Sequence, residues 1–350
     1  MRTSVRSLII IAIAGSAALI FNACSGSKTS EGVKLQGAGA SFPAPLYQKW
    51  FKTYSDGHPG VEIDYQSVGS GSGIKSVIDK TVDFGASDAA MSPADQARVE
   101  GGVQLLPMTA GCIVLTYNLE GVKDLKLSRA AYSGIFLGKV KTWNDPLITK
   151  ENPGLKLPDT PINVVVRADG SGTTFVFTKH LSAISPDFAK DPGANTLPNW
   201  PVGTRSKGNE GVTASIMTTP GSIGYIEYGY AKSQNLPMAI LENKSGAYVA
   251  ADTASAQAAL ASVPLPDDLI AWASDPEAKD AYPITTYTWL LCYKQYHDKA
   301  KFQTLQDVLN YCLTDGQKES EALGYIPLPP SVADRVKAAV KNITLAPNAT

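Results

Sequence analysis

The chain has 350 residues, of which 44% are apolar and 18% are charged. This composition provides enough apolar surface for a large buried core and excludes an intrinsically disordered chain. Lysine and arginine number 31 and aspartate and glutamate 32, a formal net charge of -1 with no long run of either sign, which excludes a general attraction for nucleic acid or a membrane surface.

The chain begins with a segment typical of a secretory signal. Arg2 and Arg6 precede the apolar run LIIIAIAGSAALIF at residues 8–21, which is too short for a membrane-spanning helix. We predict a signal peptide over residues 1–23 and a flexible tethering linker of small polar residues over 24–34. The sequence IFNAC resembles the end of a bacterial lipoprotein signal, which predicts a lipid anchor at Cys24; ordinary secretion is the alternative.

Strand-like runs alternate with segments of helical period along the rest of the chain. VEIDYQSV is followed by GIKSVIDKTV, INVVVRA by TFVFTKHLSAI, and PITTYTWLLCY by FQTLQDVLNYCL, while GSIGYIEYGYA is a further strand-like run. Near the start, Tyr47, Trp50, Phe51 and Tyr54 recur at helical spacing and form one apolar stripe. The alternation predicts an α/β architecture with central sheets covered by helices.

Three strand-like runs open into a turn rich in glycine and serine and then into a helix: LQGAGASFPAPLY, IDYQSVGSGSGIK and VVVRADGSGTTFVF. The first N–H groups of a helix lack intrahelical partners and lie at the positive end of its dipole, so such a turn can bind an anion. The hydroxyls of Ser41, Ser70, Ser171 and Thr173 can add donors. One such turn alone is more often an ordinary helix cap, so an anion site requires that the three converge.

Charged residues accompany these turns. Arg167 carries a fork of donors suited to a tetrahedral oxyanion, and in an extended segment Asp169 points to the same side and can hold the guanidinium. An exposed ion pair of little consequence is the alternative. Asp88, in VDFGASDAAMS, follows an apolar strand, and taken alone it is typical of a turn or a helix cap.

The histidines and cysteines show no metal-ligand spacing. We predict structural or solvent-facing roles for His58, His180 and His297, and neither a metal nor a cofactor. Cys112 lies in the apolar run GCIVLTY and is expected to be buried. Cys292 and Cys312 could pair in an oxidising compartment, but their spacing leaves both a disulfide and free thiols open.

Seven motifs in order resemble segments of the phosphate-binding proteins of bacterial high-affinity phosphate ABC importers: GAGASFPAPLYQKW, VGSGSGIKSVIDKTVDFGASDAAMS, IFLGKVKTWNDP, VVVRADGSGTTFVFT, KGNEGV, PGSIGYIEY and LGYIPLPPSV. The resemblance implies a two-lobed periplasmic-binding-protein fold, with a central sheet flanked by helices in each lobe and two crossover strands as a hinge. Lobe 1 would comprise residues 35–109 and 283–342, lobe 2 residues 110–282, and the C-terminal tail residues 343–350.

The family pattern also implies a ligand set for inorganic phosphate in the cleft between the lobes: Ser41, Phe42 through its backbone, Ser70, Asp88, Arg167, Ser171, Gly172 and Thr173. Asp169 would orient Arg167 without touching the ligand. A carboxylate only accepts hydrogen bonds, so Asp88 would match the protonated oxygen of phosphate and oppose sulfate, which carries no proton near neutral pH.

The function implied by the resemblance is that of a monomeric, non-catalytic extracytoplasmic protein. It would capture inorganic phosphate and deliver it to the membrane permease subunits of an ABC importer. A secreted phosphatase or phosphoryl-transfer enzyme is the alternative from another class, but such chemistry generally needs a metal or an activated nucleophile, and neither is evident in the sequence. A phosphate-sensing or adhesive role for the same fold stays open.

Overall fold

The computed structural model describes residues 32–349. The predicted signal peptide, the predicted lipid anchor Cys24 and most of the predicted linker therefore lie outside the described residues.

The strands of the described chain are β1 (Val33–Gly39), β2 (Val61–Ser67), β3 (Phe84–Ser87), β4 (Val103–Tyr117), β5 (Lys126–Leu127), β6 (Asn163–Arg167), β7 (Thr204–Ser206), β8 (Ser222–Glu227), β9 (Ile240–Glu242), β10 (Tyr248–Val249), β11 (Trp272–Ser274), β12 (Ile284–Tyr293), β13 (Gln295–Tyr296) and β14 (Thr344–Leu345).

The α-helices are α1 (Ala44–Gly57), α2 (Ser70–Ile78), α3 (Pro93–Gln96), α4 (Arg129–Phe136), α5 (Pro146–Thr149), α6 (Gly172–Ile184), α7 (Pro186–Lys190), α8 (Gly208–Thr218), α9 (Tyr228–Ser233), α10 (Thr253–Ala261), α11 (Lys299–Cys312) and α12 (Pro330–Val340), with 3₁₀ turns at Asp315–Glu319 and Glu321–Leu323. In the part of the chain that is described, no helix is both long enough and apolar enough to cross a bilayer.

One large sheet organises the molecule, with the strand order β2-β1-β3-β12-β4-β8-β6-β7 and β11 paired to β12. Strand β4 pairs with β12 over residues 103–112 and with β8 over residues 113–117. We call β1, β2, β3, β12 and residues 103–112 of β4 the first half of the sheet. The second half comprises residues 113–117 of β4 together with β6, β7 and β8.

The strand directions bring the ends of both halves together. Strands β1 and β2 run parallel to β3, and β3 runs in the same direction as β4 because both are antiparallel to β12. In the second half, β8 is antiparallel to β4, and β6 and β7 are parallel to β8. The carboxyl ends of both sets of strands therefore point toward the middle of β4.

Apolar patterning explains how the elements pack around this sheet. The predicted stripe of α1 is confirmed, since Tyr47, Trp50, Phe51 and Tyr54 are all buried in the core. All residues of β4 except Gln104 are buried, as expected for a strand covered on both faces. The predicted α/β architecture is confirmed.

One strand-like run of the sequence analysis is partly helical in the structure. The run GSIGYIEYGYA is not strand throughout: β8 ends at Glu227, whose carboxylate accepts the backbone N–H of Gly229 and caps α9. A side-chain acceptor at this position starts a helix in spite of the aromatic residues that follow.

The three cysteines of the described chain are buried and unpaired, and its three histidines differ in burial. Cys292 and Cys312, for which pairing was left open, are free buried thiols, and Cys112 is buried as predicted. His180 has a structural role, because its side chain is fully buried and its Nε2 forms a hydrogen bond with the Tyr132 hydroxyl at 2.8 Å. His58 and His297 are exposed.

Candidate functional site

The residues predicted to bind an anion lie at the carboxyl ends of the strands. Ser41 follows β1, Ser70 begins α2 after β2, Asp88 follows β3 directly, and Arg167 is the last residue of β6. Because these ends converge at the middle of β4, the side chains meet in one buried cluster. We call this set, together with Thr173 and Asn209, the polar cluster; each of its side chains is at most 1% exposed.

The loop after β1 is held by hydroxyls of the surrounding tyrosines. Tyr65 donates to the carbonyl of Ala40 at 2.7 Å, Tyr230 to that of Ser41 at 2.6 Å, and Tyr325 to that of Phe42 at 2.7 Å. These three hydrogen bonds fix the backbone of the loop, with Ser41 and Phe42 at the junction of the two halves.

Asn209, at the start of α8, connects the two halves through its backbone and its side chain. Its backbone N–H and its Nδ2 donate to the hydroxyl of Ser41 at 3.0 and 2.9 Å. The same Nδ2 approaches the hydroxyl of Thr173 at 3.2 Å, and Oδ1 accepts the backbone N–H of Glu227 at 3.0 Å. Asn209 was not among the residues predicted for the site, although it lies in the motif KGNEGV.

Ser70 is the corresponding junction residue at the start of α2. Its hydroxyl accepts the backbone N–H of Gly172 at 3.0 Å and that of Asp88 at 3.3 Å. Nearby, the backbone N–H of Gly71 donates to the carbonyl of Gly170 at 2.9 Å. The hydroxyls of Ser41 and Ser70 both accept hydrogen bonds from backbone N–H groups, so each can still donate its own proton to another acceptor.

The start of α6 needs glycine because the two halves approach each other closely there. A Cβ atom on Gly172 would lie 2.6 Å from the Ser70 hydroxyl and 2.7 Å from Cβ of Asp88. Ser171 is the N-cap of α6, and its hydroxyl accepts the backbone N–H of Thr174 at 3.0 Å. The hydroxyl of Ser171 therefore acts as a helix cap, while the glycine allows the amide end of the helix to reach the first half.

Arg167 supplies the positive charge of the cluster. Its Nε and Nη2 donate to the two carboxylate oxygens of Asp169 at 2.9 and 2.6 Å, and its Nη1 lies 3.4 Å from the hydroxyl of Thr173. The predicted pairing with Asp169 is confirmed, and the alternative of an exposed ion pair is wrong, since Arg167 is only 1% exposed.

The Arg167–Asp169 pair keeps both groups charged in spite of burial. Burial alone disfavours the charge of each, but hydrogen bonds and the opposite charge outweigh it, so the pKa of Arg167 is raised and that of Asp169 is lowered. Asp169 also accepts the backbone N–H of Gly208 at 3.0 Å, which ties this pair to the start of α8.

Asp88 is the carboxylate of the cluster. Its Oδ1 accepts the hydroxyl of Thr288 at 2.8 Å, its Oδ2 lies 3.4 Å from the hydroxyl of Thr173, and its carbonyl accepts the indole N–H of Trp272 at 3.3 Å. Burial raises the pKa of Asp88 from 3.8 to about 7, although Thr288, Arg167 and Thr173 pull it downward. A carboxyl with this pKa changes its donor and acceptor character near neutral pH.

Of the residues predicted for the site, the structure brings six together: Ser41, Ser70, Asp88, Arg167, Gly172 and Thr173. Ser171 caps α6, Phe42 follows Ser41 in the loop after β1, and the structure adds Asn209 and Thr288 to the site. The cluster offers hydroxyl and amide donors from both halves, a buried guanidinium, and one carboxyl whose pKa lies near neutral pH. Within residues 32–349, no group of three histidine, cysteine, aspartate or glutamate side chains could hold a metal ion.

Comparison with known proteins places the fold in a class. A family model described as a PBP superfamily domain matches residues 26–315. A solved periplasmic phosphate-binding protein, PfluDING, with phosphate bound, superposes with a TM-score of 0.74 at 21% identity over 87% of this chain and 93% of its own, which shows a shared fold.

Comparison with curated relatives identifies the family within this superfamily. The phosphate-binding protein PstS of Xylella fastidiosa is 38% identical over 317 residues, covering 89% of this chain and 86% of the relative. PstS of Pasteurella multocida is also 38% identical, over 323 residues, 89% of this chain and 90% of the relative. The chain belongs to the PstS family of phosphate-binding proteins within the PBP superfamily.

Proposed function

We propose that this protein is an extracytoplasmic solute-binding protein that captures inorganic phosphate and delivers it to an ABC importer. Membership of the PstS family supports this function, and so do the names of the relatives. The observation that carries it is the polar cluster itself, because donors from both halves of the sheet and a buried arginine meet beside one titratable carboxyl.

The proposed ligand set follows from this geometry. Phosphate oxygens would accept from the hydroxyls of Ser41, Ser70 and Thr173 and from the backbone N–H groups of Phe42 and Thr173. The backbone N–H of Ser171 donates to the carbonyl of Thr196 and that of Gly172 to the hydroxyl of Ser70, so these two residues would bind phosphate by exchanging those bonds for the ligand. Arg167 would supply the compensating charge, held in place by Asp169. Helix starts and a guanidinium together suit a dehydrated oxyanion.

The proposed working motion is closure of two lobes around the ligand. Lobe 1 would contain residues 35–109 and 283–342 and lobe 2 residues 110–282, so that phosphate bridges hydroxyls from both. A ligand that contacts both lobes binds the closed arrangement better than the open one, which is the difference in affinity that drives closure.

Outside the site, three further properties belong to this proposal. The N-terminal segment would direct export, and Cys24 would carry a lipid that holds the protein at the membrane beside the permease subunits. The protein would act as a monomer. It would also be non-catalytic, as a binding protein that releases its ligand unchanged.

Asp88 is the residue proposed to select phosphate over sulfate. Replacing it with asparagine substitutes an amide donor for one carboxylate oxygen, so the variant gains a partner for a bare oxyanion and loses one for a protonated oxygen. We expect Asp88→Asn to lower the ratio of the sulfate Kd to the phosphate Kd by about tenfold or more. Isothermal titration with both anions measures this ratio.

The exposed Asp79, which directly follows α2, provides the matched control, because Asp79→Asn removes the same charge outside the cluster. That variant should keep the wild-type ratio. An unchanged ratio in Asp88→Asn would refute the role of Asp88, whereas failure of the wild type to bind phosphate would refute the function. Sustained hydrolysis of a chromogenic phosphate ester, with or without divalent metal, would refute the non-catalytic assignment.

A further inference from the structure

Thr288 lies in the middle of β12, fully buried between β3 and β4. In the β3–β12 ladder Trp289 pairs with Ser87, so the next position of this antiparallel register places Thr288 beside Asp88. On the other side, Thr288 pairs with Thr109 and Trp289 with Pro107, which leaves Met108 as an extra residue in β4. Such bulges occur next to functional sites, where they re-aim a side chain.

The hydroxyl of Thr288 is committed to Asp88. It donates to Oδ1 at 2.8 Å, whereas Oδ2 faces the polar cluster and has only the longer contact of 3.4 Å with Thr173. The two carboxylate oxygens therefore have different surroundings: Oδ1 is bound within the first half of the sheet, and Oδ2 is directed toward the proposed ligand.

Among the titratable groups that the structure describes around Asp88, Arg167 is the one that carries a positive charge. The titratable side chains facing it are Tyr47 of α1, Tyr65 of β2, Arg167 of β6, Glu227 of β8, Tyr230 of α9 and Tyr325. Burial raises the pKa of the four tyrosines and of Glu227 well above their usual ranges and favours their neutral forms. The hydroxyl of Thr288, Arg167, and the hydroxyl and backbone N–H of Thr173 are the groups that favour the ionised form of Asp88.

We propose that Thr288 is a positioning residue for anion selectivity, whose hydroxyl holds Asp88 ionised and turned with Oδ2 toward the ligand as an acceptor. This inference rests on the proposed function, because it concerns the carboxylate that distinguishes phosphate from sulfate. Thr288 acts through Asp88 and does not itself touch the anion.

The expected consequence of losing this hydroxyl follows from charge stabilisation. Without the Thr288 donor, the ionised form of Asp88 loses its shortest hydrogen bond, and the neutral carboxyl becomes more favourable. A neutral carboxyl can donate a proton, so it suits the bare oxygen of sulfate and matches the protonated oxygen of phosphate less well. Selectivity should therefore fall without any change in the residues that contact the anion.

The test is isothermal titration of Thr288→Val with phosphate and with sulfate. Near neutral pH, we expect the ratio of the sulfate Kd to the phosphate Kd to fall by about tenfold, as for one lost hydrogen bond to a charged group. Sulfate binding should weaken as the pH rises through the titration of Asp88, and in Thr288→Val this decline should move about one pH unit higher.

Matched variants distinguish the effect of losing the Thr288 hydroxyl from a general effect of substitution in β12. Thr288→Ser keeps the donor and should restore selectivity, while Thr288→Ala removes it without adding volume and replaces the valine variant if that one does not fold. Thr286→Val is the control on the same strand, because Thr286 is equally buried but donates to the carbonyl of Tyr287 at 2.8 Å. It should bind both anions as the wild type does.

A double-mutant cycle with Asp88→Asn shows whether Thr288 acts through Asp88. If it does, Thr288→Val changes nothing further once Asp88 is asparagine. Unchanged selectivity in Thr288→Val and Thr288→Ala, or an equal loss for both anions that persists in the Asp88→Asn background, would overturn the inference.

A carbon NMR titration of the Asp88 carboxyl in phosphate-free protein tests the same coupling without a ligand. The pKa of Asp88 should be higher in Thr288→Val than in the wild type, and equal values would overturn the inference. If the wild type bound no phosphate but this difference were present, the proposed function would fail while the coupling between Thr288 and Asp88 stood.

Discussion

Asp88 is fixed at its backbone and at its carboxylate. Ser70 accepts its backbone N–H, Trp272 donates to its carbonyl, and Thr288 donates to Oδ1. These contacts leave little freedom for the carboxyl to turn away from the cluster when it gains or loses a proton. The raised pKa of Asp88 means that burial disfavours its ionised form. A hydrogen bond donated by the protonated oxygen of a ligand would stabilise that ionised form.

The raised pKa predicts a pH dependence of stability. The pKa of Asp88 is raised from 3.8 to about 7, so the folded protein binds this proton more tightly than the unfolded chain does. The contribution of Asp88 to the free energy of unfolding must fall as the pH rises from about 4 to about 7. Asp88→Asn should remove a fall of about 2–4 kcal/mol, measured by chemical denaturation in phosphate-free buffer.

The comparison is between wild type and variant at each pH, because other groups titrate in the same range. Asp79→Asn, at the exposed residue directly after α2, should follow the wild-type curve. A wild type and an Asp88→Asn variant whose stability curves run parallel from acid to neutral pH would contradict the raised pKa.

Sequence reasoning found the charged members of the site but missed their supports. Arg167 and Asp169 are two residues apart in an extended segment, so their pairing could be predicted locally. Thr288 stands in the apolar run PITTYTWLLCY, and nothing within that run indicates that its hydroxyl meets Asp88, some 200 positions earlier. Only the order of strands in the sheet places them side by side.

At the scale of elements, the site is built from a repeated arrangement of strand, turn and helix. Sequence analysis identified three examples, and the structure contains a fourth in β7, the turn at Lys207 and α8. The strand-like part of this fourth example has only three residues, Thr204–Ser206, which is too short to give a clear period. The motif KGNEGV was the available signal, since its glycine and asparagine stand at the helix start.

We expect the start of α8 to contribute to phosphate binding through Asn209. Asn209→Ala removes donors to the hydroxyls of Ser41 and Thr173 and leaves the backbone N–H of Glu227 without its acceptor. The bond from Nδ2 to Ser41 joins the two halves, so its loss disfavours the closed arrangement, although the backbone N–H of residue 209 still donates to Ser41. Phosphate binding should weaken by about 1–3 kcal/mol, as measured by isothermal titration.

Asn163→Ala is the control for this prediction, because Asn163 is exposed and its Nδ2 donates only to the carbonyl of Pro220 at 2.9 Å. It should bind phosphate with wild-type affinity. Wild-type affinity in Asn209→Ala as well would show that the contacts of Asn209 do not support closure.

At the scale of the whole molecule, the general architecture was accessible from sequence and the way the halves meet was not. Alternating strand and helix patterns predicted the α/β fold, and the resemblance implied that the first and last segments share a lobe. The insertion of β12 between β3 and β4 agrees with such sharing. The closeness of the two halves at Gly172 depends on three-dimensional distances that no local pattern contains.

Gly172 provides a test of closure. In Gly172→Ala the added Cβ would lie 2.6 Å from the Ser70 hydroxyl and 2.7 Å from the backbone nitrogen of Ala89, so the halves could not approach as closely. Phosphate binding should weaken by about 1–3 kcal/mol. Small-angle X-ray scattering in saturating phosphate should give a larger radius of gyration than for the wild type.

Gly211→Ala in α8 is the corresponding control, because its new Cβ would lie no closer than 3.7 Å to the nearest atoms of Ser206. The control should scatter as the wild type does. An equally compact Gly172→Ala protein with full affinity would show that the observed closeness is not required for binding.

Strand β4 runs without interruption from one half of the sheet to the other and changes partner from β12 to β8 between residues 112 and 113. Because both halves of the sheet include β4, bending one half would strain the strand with which the other half pairs. A force applied to one half of the sheet would therefore disturb the polar cluster from outside, without any contact with the side chains that form it.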